Sequence, residues 1–223
     1  MILTMFDRYD VSGVAPDRIQ RVLEQDWIHL IRDKGVLNSP NYLKEKGKPV
    51  ISLWGTVHSF SSHYSPLNRT YLTGFGFENS NHNPATIRAI TAFFRKYTPG
   101  GAFIIAGTPA HWRTSRSDAD PNPEFLDIWL NEFDALSPWT VGRYGNEDEA
   151  DDFAEDKIKP DIELLKKRAE EGHKKVDYMP VVLPGGSVSC SLQPAGHPRL
   201  MYPSMTFLSR VSICLRVNGD LTA

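Results

Sequence analysis

The side chains able to do chemistry gather in a few short segments. Gly107-Thr108-Pro109-Ala110-His111-Trp112-Arg113 sets an imidazole, an indole and a guanidinium in succession, with Asp118 and Asp120 shortly behind. Ser137-Pro138-Trp139-Thr140-Val141-Gly142-Arg143-Tyr144 offers a second indole, a second guanidinium and a phenol. A third group is Trp54 with, further on, Gly74-Phe75-Gly76-Phe77-Glu78. Indole faces stack on the apolar faces of sugar rings, while Arg, Asp and His make directional hydrogen bonds to hydroxyls. Such a set suits a carbohydrate better than a flat cofactor. Trp112 and Trp139 are expected as stacking platforms, with Arg113, Arg143, Asp118 and Tyr144 binding hydroxyls. Trp54 and His111 complete the expected substrate-binding set. A tryptophan after a strand serves equally well to plug the mouth of a barrel, and either arginine could be spent on a neighbouring carboxylate.

Other chemistries find less support. His111 and Asp118 could ligate a metal, yet no third ligand has suitable spacing, so neither metal nor cofactor is expected. Gly74-Phe75-Gly76-Phe77 lacks the third glycine of a dinucleotide fingerprint, and no phosphate loop ending in Lys-Ser/Thr is present. A Gly-x-Ser-x-Gly nucleophile elbow is missing as well. Glycoside hydrolysis needs two carboxyl groups across the scissile bond. Only Glu78 with Asp118 or Asp120 stands on suitable loops, and the catalytic residues stay unassigned.

These segments need elements to hold them. Pro16 opens a helix whose apolar face is Ile19, Val22, Leu23, Trp27, Leu30 and Ile31, and Gly35 closes it. Pro49 to Trp54 reads as a buried strand. Asn83-Pro84 is an N-cap followed by a proline at the first helical position, and Ile87, Ile90, Phe93, Phe94 and Tyr97 form the next stripe. Ala102–Ala106 is a second buried strand, Pro123–Leu130 a short helix, and Phe133–Ser137 a short strand. Asn146 with Glu149 resembles a capping box. The nine acidic residues from Glu147 to Glu163 read as a solvated face, split into two helices by Pro160. Tyr178–Leu183 is the last clear strand, and Ile2–Phe6 a possible first one. Strands and helices in alternation, with near-continuous apolar strands, predict a parallel sheet covered by helices. In such folds sites form at the carboxyl ends of the strands, where all three segments lie.

Two stretches break this pattern. Residues 56–73 hold one charged residue, Arg69, and four serines without an apolar period. Residues 187–223 hold both cysteines, Cys190 and Cys214, and only four charges in 37 residues. They are expected as an aberrant insertion and a poorly ordered tail, read as translated non-coding sequence such as retained introns. The other 168 of the 223 residues give about five βα units of about 34 residues, close to the roughly 31 of an eight-unit barrel. The fold class is therefore α/β, a partial (β/α)8 barrel over 1–186 interrupted at 56–73.

Composition narrows the partners. A formal net charge of −2 without a Lys/Arg cluster argues against nucleic acid. No apolar run approaches the roughly 18 residues of a membrane span. Met1–Phe6 gives way at once to Asp7-Arg8-Tyr9-Asp10, too short an apolar run for a signal peptide, which leaves localisation open. Oligomeric state is not legible.

At these loops the chain resembles a known group. Lys48–Ile51 to Trp54-Gly55, Gly76-Phe77, Gly107–Arg113 and Ser137–Tyr144 are similar to segments of a glycoside-hydrolase-like barrel family. Its members are often labelled xylosidase/arabinosidase, and it is related to the family 99 endo-α-mannosidases and family 71 α-glucanases. The similarity covers roughly 5–55 and 74–186. It implies a (β/α)8 barrel with a carbohydrate cleft at its carboxyl end, acting on an α-linked glycan or related glycoside. The family's catalytic carboxylates are expected in an acidic Glu-x-x-Glu segment late in the barrel, and none follows Leu183 here. The alternative reading is an inactive fragment, or a carbohydrate-binding remnant without the acid/base carboxylates.

Overall fold

A computed structural model describes residues 3–4, 18–53, 56–59, 70–73, 75–78, 83–140 and 143–181, with only the backbone path at 3–4, 56–59 and 70–73. The chain divides into two units, Met1–Trp139 with Asp161–Met179, and Thr140–Pro160 with Pro180–Ala223.

The first unit is built on a parallel sheet. Its strands β1 (Leu3–Thr4), β3 (Lys48–Leu53), β6 (Phe103–Thr108), β7 (Ala135–Pro138) and β8 (Asp177–Tyr178) lie side by side in chain order. A short antiparallel strand β2 (Lys44–Glu45) folds back on β3. Every neighbouring pair along the path is parallel, with Ile51 opposite Ile104, Ala106 opposite Leu136, and Leu136 opposite Tyr178. A doubly wound sheet reverses its strand order at one point, whereas strands in unbroken chain order are the topology of a barrel segment. The expected partial (β/α) barrel of about five units is what the sheet shows.

Helices cross between the strands. α1 (Ile19–Arg32) buries Ile19, Leu23, Trp27 and Leu30, four of the six expected face positions at this depth. Gly35 sits beyond its end at φ +58°, the left-handed region that favours glycine. α2 (Pro84–Tyr97) begins as expected, since the Asn83 side chain accepts from the Ala85 N–H at 2.9 Å. Ile87, Ile90, Phe93 and Phe94 are buried, but Tyr97 is 50% exposed and stacks on Phe93 at the helix end. α3 (Glu124–Glu132) buries Phe125, Ile128 and Trp129.

The strands carry two apolar faces. Ile51, Leu53, Ile104, Ala106 and Leu136 belong to the large core shared with the helices. The alternate residues Val50, Phe103, Ile105 and Ala135 form a second cluster with Met179. Burial on both faces is why these strands read as continuous apolar runs. The last strand is shorter than the expected 178–183. Met179 still donates its N–H to Leu136 O at 2.8 Å, and Pro180, without an N–H, ends the ladder.

The stretch at 56–73 is not wholly irregular. β4 (Thr56–Ser59) and β5 (Thr70–Thr73) pair antiparallel with each other and with no strand of the main sheet. Thr56 faces Thr73, so the excursion leaves and rejoins the chain path at adjacent points. Residues 187–223 lie outside the described residues.

In the second unit α4 (Glu147–Phe153) is capped by Asn146, whose side chain accepts from the Glu149 N–H. The Glu149 carboxylate accepts from Gly145 N–H rather than closing a reciprocal box on Asn146. A π-helical turn (Ala154–Ile158) then leads into α5 (Lys159–Glu170). The expected break at Pro160 is absent: widening the preceding turn makes room for a proline ring and its missing hydrogen bond while the chain stays helical. Among the described residues no helix is long and apolar enough to cross a membrane.

Candidate functional site

The site grows from the carboxyl end of β6. Pro109 stops the ladder and the chain winds into tight turns, with Trp112 N–H on Pro109 O and both Thr114 and Ser115 N–H groups on His111 O. Ser115 and Ser117 take φ values of 49° and 57°, a costly left-handed geometry for non-glycine residues. One carboxylate holds this loop in place. Asp118 accepts from Ala110 N–H at 2.9 Å, from His111 N–H at 3.1 Å and faces the His111 Nδ1 at 2.7 Å.

That contact assigns the imidazole. With Nδ1–H donating to Asp118, Nε2 is the acceptor of the neutral ring, and the ring keeps 22% of its surface exposed. Asp118 itself is only 14% exposed and its oxygens serve the loop. It therefore organises His111; the expected role of direct hydroxyl binding does not fit its bonds. The two residues bond to each other, and among the described residues no group of three potential metal ligands gathers.

The next two side chains share a second carboxylate. Trp112 donates its indole N–H to Asp161 Oδ2 at 2.8 Å, and Arg113 donates Nε–H to Asp161 Oδ1 at 2.8 Å. The Tyr178 hydroxyl lies 3.4 Å from the same Oδ2. Trp112 is 1% exposed, so it is a core residue and not the expected stacking platform. Arg113 remains 27% exposed beyond its Nε contact.

Asp161 escapes a reading of the sequence. It was expected among nine acidic residues on a solvated face, and the other eight are indeed exposed, but Asp161 is 2% exposed. The available signal is its spacing, four positions before the buried Leu165 on α5. Burial pushes its carboxyl up, against the opposing pull of Arg113, Trp112 and Tyr178.

A turn from after β3 completes the arrangement. Glu78 N–H donates to Asp118 O at 2.9 Å and Asp120 N–H to Gly76 O at 2.8 Å, with Phe77 bridging Ala119. The three strand-end acids Glu78, Asp118 and Asp120 are thus brought together by their backbones. Gly76 permits this approach at φ +70°, because a Cβ there would meet Trp129 Cζ2 at 2.4 Å. Asp120 caps its own turn through Asn122 N–H, while Glu78 is exposed.

The strand ends below the loop are unusual. Among the described residues seven polar or charged ones are buried, and Thr91, Thr98, Thr140 and Asp161 among them have partners. The hydroxyls without one are Ser52, Thr108 and Ser137, all near the carboxyl ends of β3, β6 and β7. Sequence reasoning passed over them because a serine inside an apolar strand carries no mark of its partner.

The remaining expected residues are placed separately. Trp139 is half-buried, its N–H on Thr108 O at 2.9 Å. Arg143 and Tyr144 belong to the second unit, Arg143 exposed and Tyr144 tilted against Phe153 at 5.5 Å. Trp54 lies outside the described residues.

No protein-family model, curated protein or solved structure matches the chain. The fold thus stands at the level of a partial barrel-like sheet with flanking helices, without a specific hydrolase family.

Proposed function

We propose that this chain is a carbohydrate-active protein of glycoside-hydrolase type that engages an α-linked glycan or related glycoside at the carboxyl end of its sheet. The observation that carries this reading is the turn presenting His111 and Arg113, each held by its own carboxylate. A fixed acceptor and a fixed donor in one loop are what sugar hydroxyls require. The similarity of Gly107–Arg113 and Ser137–Tyr144 to the xylosidase/arabinosidase-labelled barrel family supports the same reading. Trp139, half-buried at the neighbouring strand end, is the candidate for stacking among the described residues of the expected set in this unit.

One observation favours binding without turnover. Hydrolysis needs two carboxyl groups about 5–9.5 Å apart. Asp118 is committed to Ala110 and His111, and Asp120 to Asn122, which leaves Glu78 as the exposed acid of the three.

Titration of the protein with α-linked gluco- and manno-oligosaccharides, xylosides and arabinosides, followed by calorimetry, tests the reading. Binding that weakens at least tenfold in His111→Ala and Arg113→Ala is the expected result. Absence of binding to every one of these sugars overturns it. Release of reducing sugar separates turnover from binding alone.

A further inference from the structure

Among the described buried residues Asp161 is the one that carries a charge. Removing a carboxylate from water is costly, and a buried ion pair by itself adds little or no stability. Such a group calls for a purpose other than holding the fold together. Its bonds suggest one. The two oxygens take donors from consecutive residues, Trp112 and Arg113, 49 and 48 positions away in the chain.

The choice of nitrogen matters. A guanidinium is planar, so fixing its Nε–H edge sets the plane and direction of the two terminal nitrogens. Fastening the neighbouring indole to the other oxygen fixes the chain at 112 and 113 at the same time. The terminal nitrogens are then presented as a pre-oriented fork, which loses little entropy when it binds. A lysine could match the charge of Arg113 but has no second edge to be held by.

We infer that Asp161 is the positioning residue of this site, acting on the glycan through Arg113 without touching it. The inference rests on the carbohydrate reading above. It adds a role for α5, which supplies Asp161, and makes ligand affinity depend on how that helix is seated. Asp161 is therefore a determinant of affinity placed outside the loop that meets the sugar.

A double-mutant cycle on the full chain tests this, with α-linked glucotriose and mannotriose as probes. Asp161→Asn and Arg113→Ala are each expected to weaken binding about tenfold, and the double variant to bind no more weakly than Arg113→Ala alone. Unchanged affinity in Asp161→Asn overturns the inference, and so does an additive loss of about a hundredfold in the double variant. Arg113→Lys keeps the charge and the fold but loses the Nε contact; wild-type affinity in that variant is equally fatal. Proton–nitrogen NMR gives a readout free of ligand. The Arg113 Nε–H and Trp112 Nε1–H signals should be sharp and slow to exchange in the wild type, and Asp161→Asn should broaden or shift both. Unaltered signals in Asp161→Asn refute the positioning role whether or not a glycan binds. Failure of both probes to bind the wild type, with the NMR change present, refutes the carbohydrate reading and leaves Asp161 as the residue that orients Arg113.

Discussion

Trp112 and Asp161 meet at 2.8 Å, indole nitrogen to carboxylate oxygen, with the indole 1% exposed and the acid 2% exposed. The bond ties the loop after β6 to the start of α5. It also decides which of three successive side chains can face a ligand: the middle one is spent inside, and His111 and Arg113 on either side keep exposed surface.

Stability should carry the mark of this buried acid. The Asp161 carboxyl is raised in the fold, chiefly by burial, so its contribution is fully present below the ordinary carboxylate range and is lost as pH rises through the raised value. Asp161→Asn has no proton to lose. Thermal melts between about pH 4 and pH 8 should therefore show the wild type losing ground to the variant as pH increases. A difference that stays flat with pH contradicts the assignment.

Gly76→Ala tests the docking of the Glu78 turn. The new methyl would sit 2.4 Å from Trp129 and 2.8 Å from Phe125, at a backbone φ of +70°. Strain and overpacking together should cost about 2–4 kcal/mol, read from urea denaturation.

Trp27 offers a cleaner test of the helix-side core. Its indole N–H donates to Thr98 Oγ1 at 3.0 Å inside the protein. Thr98→Val leaves that donor buried and unmatched, at a cost of about 1–3 kcal/mol. In a Trp27→Phe background the same change should cost far less, and equal costs in the two backgrounds would show that the bond contributes nothing.

Asp118→Ala should do more than His111→Ala. Three donors from Ala110 and His111 converge on this carboxylate, so its loss frees the loop as well as the imidazole. Faster amide exchange at Ala110 and His111, with glycan affinity at least as weak as in His111→Ala, is the expected pair of results. Protection unchanged at both amides would remove Asp118 from its organising role.

Elements with a short-range cause were legible in the sequence. Asn83-Pro84 announces α2 because a capping amide and a proline act within one turn, and the cap bond is there. Ile104 and Ile105 read as strand because both faces of β6 are covered. Candidate residues were recognisable by their place after strands, but their facing was not. Trp112 turns inward because of an acid 49 positions away, and no local pattern reports such a partner. Pro160 misled for the same kind of reason, since a π-helical turn absorbs it without breaking the helix.

The order of the strands has a consequence for how this sheet is made. Along β1, β3, β6, β7 and β8 each strand joins the edge left by the one before it. Among the described strands of this sheet each one after the first finds its neighbour already synthesised, so pairing can keep pace with the ribosome, one βα unit docking on the last. Growth by accretion at an edge also means that a unit can be gained or lost there over evolutionary time without re-pairing any of the others.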